Sequence, residues 1–234
     1  MIRGPEDTHS IVIDPGPEDE GHLNVLNNKA AEVGLVLLTH RHQDHADGAH
    51  RFRQLTGAPV RAWDPSHCYG ADALSDGEII TVDGVTPQIE VVHTPGHTGD
   101  SVCFFIWSGK PGESTLEGIA TGDTIAGRHT TMISESDGNL GQYLDTLALL
   151  GKRGVDVQLL PGHGPDGHDV ASFANWYAER RYKRLEQIKA AQEKLGPDAS
   201  LKDLINEVYD NVDPVLRGSA EQSTRVALRY LSEQ

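Results

Sequence analysis

Short apolar runs broken by Gly, Pro, Asp and His dominate the first two-thirds of the chain. Residues 10–13, 35–38, 60–63, 89–92, 102–106, 118–121 and 155–160 are of strand length and bounded by turn formers, so they predict β-strands. Between them, residues 44–56 and 140–150 have helical composition, with Gly57 and Gly151 placed to stop them. Past about His168 glycine thins out. Residues 171–195, rich in Ala, Arg, Lys, Glu and Gln and ended by Gly196-Pro197, predict one long amphipathic helix. Ser200, with Asp203 three residues on, predicts a capped helix over 201–209, and a last helix starts near Asp213-Pro214 and runs through Leu231. The pattern predicts an α/β (α+β) unit over residues 1–170, strands leading, and a helical appendage over 171–234.

The 234 residues are enough for a sizeable core. Two cysteines, Cys68 and Cys103, are too few for a disulfide framework, so a reducing, cytoplasmic compartment is expected. No apolar run approaches the roughly 20 residues of a membrane span, and residues 1–7 lack the apolar region of a secretory signal. No membrane partner is expected. A formal net charge of −15 repels a phosphate backbone at long range. Divalent cations held in a cleft would invert that field locally. The 12 histidines change the picture more, because several cluster beside glycine and aspartate.

The strand ending at Thr39 runs directly into His40-Arg41-His42-Gln43-Asp44-His45. Residues 40 and 42 of an extended loop project to the same side, and a helix starting near Asp44 turns Asp44 and His45 toward a neighbouring point. One hexapeptide can then serve two adjacent metal ions. Imidazole and carboxylate suit zinc, and also manganese and iron. Three later segments repeat the logic of strand, glycine turn and ligand-type residue: His93-Thr94-Pro95-Gly96-His97, Thr121-Gly122-Asp123-Thr124 and Pro161-Gly162-His163-Gly164.

In order and spacing these segments resemble the metallo-beta-lactamase superfamily over roughly residues 10–168. The resemblance implies an αββα sandwich with the site at one edge. It assigns His40, His42 and His97 to a first metal and Asp44, His45 and His163 to a second, with Asp123 bridging; two Zn2+ are expected, with Mn2+ or Fe as substitutes. Asp14, ending an early strand, would support the ligand loop from behind. The superfamily has a strand or two ahead of that one, and here the chain starts almost upon it, so either the start is truncated or the sheet edge is managed differently. The likeness is best to the beta-lactamase-like protein 2 group, which includes endoribonucleases, through residues 94–101, 121–127 and 160–165 and a helical tail with Arg180, Arg181 and Arg184.

What the resemblance implies is hydrolysis of an ester-like bond by a metal-bridging hydroxide, with Asp44 and Asp123 orienting it. Arg128, His129, Tyr143 and His168 are candidate substrate contacts. Single-stranded RNA is the first substrate expected, a small-molecule ester or glyoxalase II-like thioester the second, and a beta-lactam the third; a non-catalytic binding protein is the rival class. His93, alternating within a strand, reads as a packing residue rather than a ligand, Cys103 as inert packing, and the basic helix after Arg180 as a solvated face before an RNA-binding one.

Overall fold

Leu35 and Leu37 turn to one side of their strand, Val36 and Leu38 to the other, and all four are buried. A strand covered on both faces lies between two layers. The computed structural model of the protein, which describes residues 1–128, 130–211 and 213–234, shows both. Leu35 and Leu37 cluster with Ile89, Phe104 and Ile106 of a second sheet, whereas Val36 and Leu38 cluster with Leu23, Ala49 and Phe52 of helices outside. The second sheet repeats the device. Cys103 and Phe105, the alternate neighbours of Phe104, join Tyr143, Leu147 and Ile188 in a third apolar interface. The layers run helix, sheet, sheet, helix, as the αββα expectation requires.

The first sheet is parallel: β1 (His9–Ile13), β2 (Glu32–Leu37) and β3 (Val60–Arg61), linked by α1 (Glu20–Lys29), α2 (Gln43–Ala46) and α3 (Ala49–Thr56). The second holds β4 (Ile79–Ile80), β5 (Gln88–His93), β6 (Val102–Trp107), β7 (Leu116–Gly122) and β8 (Gln158–Pro161). Pairing is antiparallel as far as β7, and α4 (Leu140–Arg153) then carries the chain back so that β8 lies parallel to β7. The carboxyl ends of β5, β7 and β8 therefore share one edge. Ile2 bridges Ile11 on the free side of β1 and covers part of that sheet edge.

The tail is α5 (Val170–Leu195), α6 (Leu201–Val208) and α7 (Arg217–Ser232). Ala174, Tyr177, Ile188 and Val226 belong to the same apolar cluster as Tyr143 and Leu147, so the tail helices share the core of the second sheet. The capping box of Ser200 and Asp203 forms with both of its hydrogen bonds. No helix among the described residues is long and apolar enough to cross a membrane.

Two helix expectations are corrected. Residues 44–56 are not one helix: α2 ends and α3 restarts at Gly48, whose Cα lies too close to the carbonyls of Gly16 and Pro17 for any Cβ. Gly151 does not stop α4, which continues to Arg153 and is capped by Gly154, because Leu150 and its apolar neighbours hold the last turn on the core. The sequence reading also passed over α1, which buries only Leu23, and the two-residue β4.

Candidate metal centre

Every candidate ligand segment leaves a strand at the same edge. Asp14 follows β1, His40 follows β2, His97 follows β5, Asp123 follows β7 and His163 follows β8. Three groups of ligand-type atoms result, each within 4.8 Å of one another: His40, His42 and His97; Asp44, His45 and His163; and His40, His45 and Asp123 between them. His97 Nε2 lies 3.1 Å from His42 Nδ1, and His163 Nε2 lies 2.9 Å from Asp44 Oδ2 and 3.3 Å from His45 Nε2. Asp123 faces both groups. Its Oδ1 is 3.4 Å from His45 Nε2 and its Oδ2 is 3.9 Å from His97 Nε2.

The partners behind the imidazoles fix which nitrogen points inward. Asp14 accepts from the Thr39 amide (2.8 Å) and hydroxyl (2.6 Å) and lies 2.8 Å from His45 Nδ1, which donates to it. Thr39 has spent its own hydrogen on Asp14, so its oxygen, 3.0 Å from His40 Nδ1, accepts from that ring. The Met132 carbonyl holds His97 Nδ1–H at 2.9 Å, and Asp137 holds His42 Nε2–H at 3.1 Å. The opposite lone pairs are thereby turned into the cluster.

Burial pushes the His40 imidazole down to about 2, helped by the nearby His45 and His97 rings. Burial also lowers His97. His45 behaves in the opposite way: burial would lower it, but contacts with Asp123 and Asp14 push it up to about 10. Burial likewise works to raise Asp123, and the approach of His45, then of His40 and His163, brings it down to about 2. The carboxylates thus create a place for extra positive charge in front of His45 Nε2. His40 Nε2 and Asp123 Oδ1 are buried with no hydrogen-bond partner, a cost that native proteins rarely leave uncompensated. Inward-turned imidazole nitrogens, ionised carboxylates and two orphaned buried acceptors are what a pair of divalent cations requires, so the residues fit the metal that the fold family implies.

The glycines serve close approach. A Cβ on Gly162 would lie 2.7 Å from His45 Cε1 and 2.9 Å from Asp123 Oδ1, so only glycine lets β8 deliver His163 past them. Gly96, at φ 137°, lies directly against the Tyr143 backbone. Asp14 itself sits at φ 47°, so it is a turn residue and a carboxylate support at once.

Of the expected substrate contacts, Arg128 is exposed beside Gly164, and His168 is exposed in the segment leading to α5. His129 lies outside the described residues. Tyr143 departs from that expectation in its placement: it is 0 % exposed, with its hydroxyl donating to the Thr124 carbonyl at 2.7 Å, so it packs under the site. His93 stacks on Trp63 with ring centroids 3.9 Å apart and stands outside the cluster. Sequence reasoning missed Arg41, Asp100 and Asp137. Arg41 donates to Asp100 at 2.8 Å and pairs with Asp137, which in turn holds His42. Arg41 lies inside the ligand hexapeptide and Asp100 in the conspicuous 94–101 segment, so both had a signal; Asp137, in an irregular turn, had none.

Among solved structures, a metallo-beta-lactamase family protein from Thermus thermophilus superposes with a TM-score of 0.74, covering 99% of this chain and 86% of that one at 20% identity. Among curated relatives, an atrochrysone carboxyl ACP thioesterase from Aspergillus fumigatus is 29% identical over 194 residues, 79% of this chain and 56% of that protein. A hydroxyacylglutathione hydrolase from Methylobacillus flagellatus is 28% identical over 158 residues, 66% of this chain and 58% of its own. The chain thus spans little more than half the length of the curated relatives it matches. The family model of the metallo-beta-lactamase superfamily matches residues 1–163, which hold every strand and every candidate ligand described above, and the chain belongs to that superfamily.

Proposed function

We propose that this superfamily hydrolase is a dinuclear zinc enzyme that cleaves carboxylic thioesters. His40, His42 and His97 would hold one ion, Asp44, His45 and His163 the other, and Asp123 would reach both. The observation that carries the metal reading is the pair of buried, unpartnered acceptors, His40 Nε2 and Asp123 Oδ1, inside a ring of inward-turned lone pairs. Manganese or iron would satisfy the same donors. Bound divalent ions would supply an acidified water and a polarised thioester carbonyl.

The chain's own residues do the rest. Asp14, Thr39, Met132 and Asp137 lock the ring orientations, which keeps the donors in place without reorganisation. With metal bound, Asp44 and Asp123 would offset its charge and orient the attacking water. The Asp44 side chain is 57% exposed, so this ligand stands on the side of the cluster open to solvent. Residues 171–234 would shape the substrate site, with Arg128 on its rim. The thioester choice is supported by the names of the two relatives above, both thioester hydrolases; neither lends support to RNA. Wild type and Asp44→Ala assayed side by side on an acyl thioester, a short RNA and a beta-lactam test the reading. Thioester cleavage by the wild type that collapses in the variant is expected, and cleavage of RNA or lactam alone would replace it.

A further inference from the structure

Along α5 one surface stripe changes character. Near its start Phe173 and Trp176, with Ala126, Gly127 and Arg128, line an apolar recess of about 320 Å³. One turn on, Arg180 stacks over Trp176 at 4.7 Å, and from there Arg180, Arg181, Lys183 and Arg184 line a groove of about 610 Å³ that reaches Met132. Both volumes are those of small-molecule sites. The recess adjoins the ligand loop at one end, because the Gly127 amide donates to the His163 carbonyl at 2.7 Å. The groove adjoins it at the other, because Met132, which lines it, gives its carbonyl to His97.

The charge in the groove is unbalanced. Arg41, Arg61 and Arg153 each meet a carboxylate, but among the described residues none of these four α5 cations does, in a chain with a net charge of −15. Arg181 and Arg184 are tied to the carbonyls of Thr131 and Val208, whereas Arg180 and Lys183 are exposed and make no hydrogen bond among the described residues. No Asp or Glu lines the groove among the described residues. That composition selects a ligand bearing anionic groups and no ammonium: a glutathione carrier brings an α-amino group that would find no acid here, while a phosphate needs only cations.

Resting on the thioester reading, we propose that the thiol leaving group is a phosphorylated pantetheine-type arm, its phosphate held by Arg180 and Lys183 and its acyl group seated on Phe173 and Trp176. The scissile bond would then lie over the ligand cluster, which both cavities adjoin, with the acyl group and the arm each folded back from it onto α5. Hydrolysis breaks the C–S bond, adds the oxygen of water to the acyl carbon and returns the proton to the departing thiolate.

The test compares the metal-loaded chain with an Arg180→Glu/Lys183→Glu double variant, both residues exposed, and with the Arg180→Gln/Lys183→Gln pair. Substrates are acyl-coenzyme A, the same acyl group on dephosphorylated pantetheine, and the same acyl group on glutathione. For the wild type the acyl-coenzyme A should be preferred, and the ratio of its kcat/KM to that of the unphosphorylated thioester should fall at least tenfold in the Glu pair, through KM, and less in the Gln pair. Calorimetric binding of free coenzyme A should be lost in the Glu pair, a readout independent of turnover. Coenzyme A that binds the wild type but not the variant, with no thioester hydrolysed by either, would uphold the groove and sink the thioester function. An unchanged ratio, a glutathione thioester preferred, or a single-stranded RNA oligonucleotide bound through these cations in place of coenzyme A overturns the assignment. A carrier-protein thioester cleaved in preference to acyl-coenzyme A, with the same dependence on Arg180 and Lys183, would keep the arm and identify its source.

Discussion

Asp14 Oδ2 lies 2.8 Å from His45 Nδ1, and the same carboxylate receives both the amide and the hydroxyl of Thr39. One residue at the end of β1 therefore orients two rings of the cluster, His45 directly and His40 through Thr39. An Asp14→Ala chain, deprived of that anchor, should lose about 10–100-fold in zinc affinity, measured by competition with a chromogenic chelator. Unchanged affinity would mean that the carboxylate serves only the turn at φ 47°.

Gly162 and Gly96 should fail differently when changed to alanine. At Gly162 the added methyl meets His45 Cε1 and Asp123 Oδ1, so metal affinity and activity should fall while the melting temperature of the metal-free chain barely moves. At Gly96 the methyl meets Tyr143 backbone under a fully buried ring, at a φ that disfavours alanine. There the fold itself should lose about 2 kcal/mol or more. Denaturant titration of both metal-free variants separates the two.

Asp137 tests the outer support on the other side of the cluster. It holds His42 Nε2 at 3.1 Å and pairs with Arg41. Asp137→Asn keeps the shape but weakens the acceptor, and kcat/KM should drop by about tenfold, with full loss of zinc from neither ion. Metal stoichiometry alongside the rate checks this.

Asp169 caps α5, accepting from Ser172, and that side-chain bond first, with backbone bonds from Asp156 and Ser172, holds its carboxyl below the usual value of 3.8. A lowered folded value means that the unfolded chain takes up the proton more readily. The contribution is therefore present above about pH 4 and lost as pH falls through the folded value. Because the group is solvent-exposed the titrating part is small, but Asp169→Ala should still cost about 1 kcal/mol at neutral pH. Urea unfolding curves of wild type and variant, followed down through about pH 4, should draw slightly closer without merging.

Much of the fold and the ligand cluster was legible because strand ends, glycine turns and histidines coincide in sequence. Leu35–Leu38 alternates into two buried faces, and His40, His97, Asp123 and His163 each follow such a run directly. What escaped was set by packing rather than pattern. Helical periodicity gave no warning that Tyr143 would be drawn wholly under Gly96 and Asp123's loop, or that the chain would break at Gly48 against the Gly16 carbonyl. Asp137 escaped because its partners, Arg41 and His42, lie some 95 residues away and only the fold joins them. That Arg180, Arg181, Lys183 and Arg184 of α5 meet no carboxylate among the described residues was hidden for the same reason, because a basic helix reads as solvated until its surroundings are seen.

Binding of two metal ions by this cluster and hydrolysis of a thioester are proposed together and can be read in one experiment. The most direct measurement strips the purified chain with chelator, titrates zinc back, and follows bound metal and thiol release from an acyl thioester in the same samples. Two zinc ions should bind per chain, with hydrolysis returning as they bind and absent from Asp123→Ala. A chain that takes up no zinc, or takes it up and releases no thiol, contradicts the proposal.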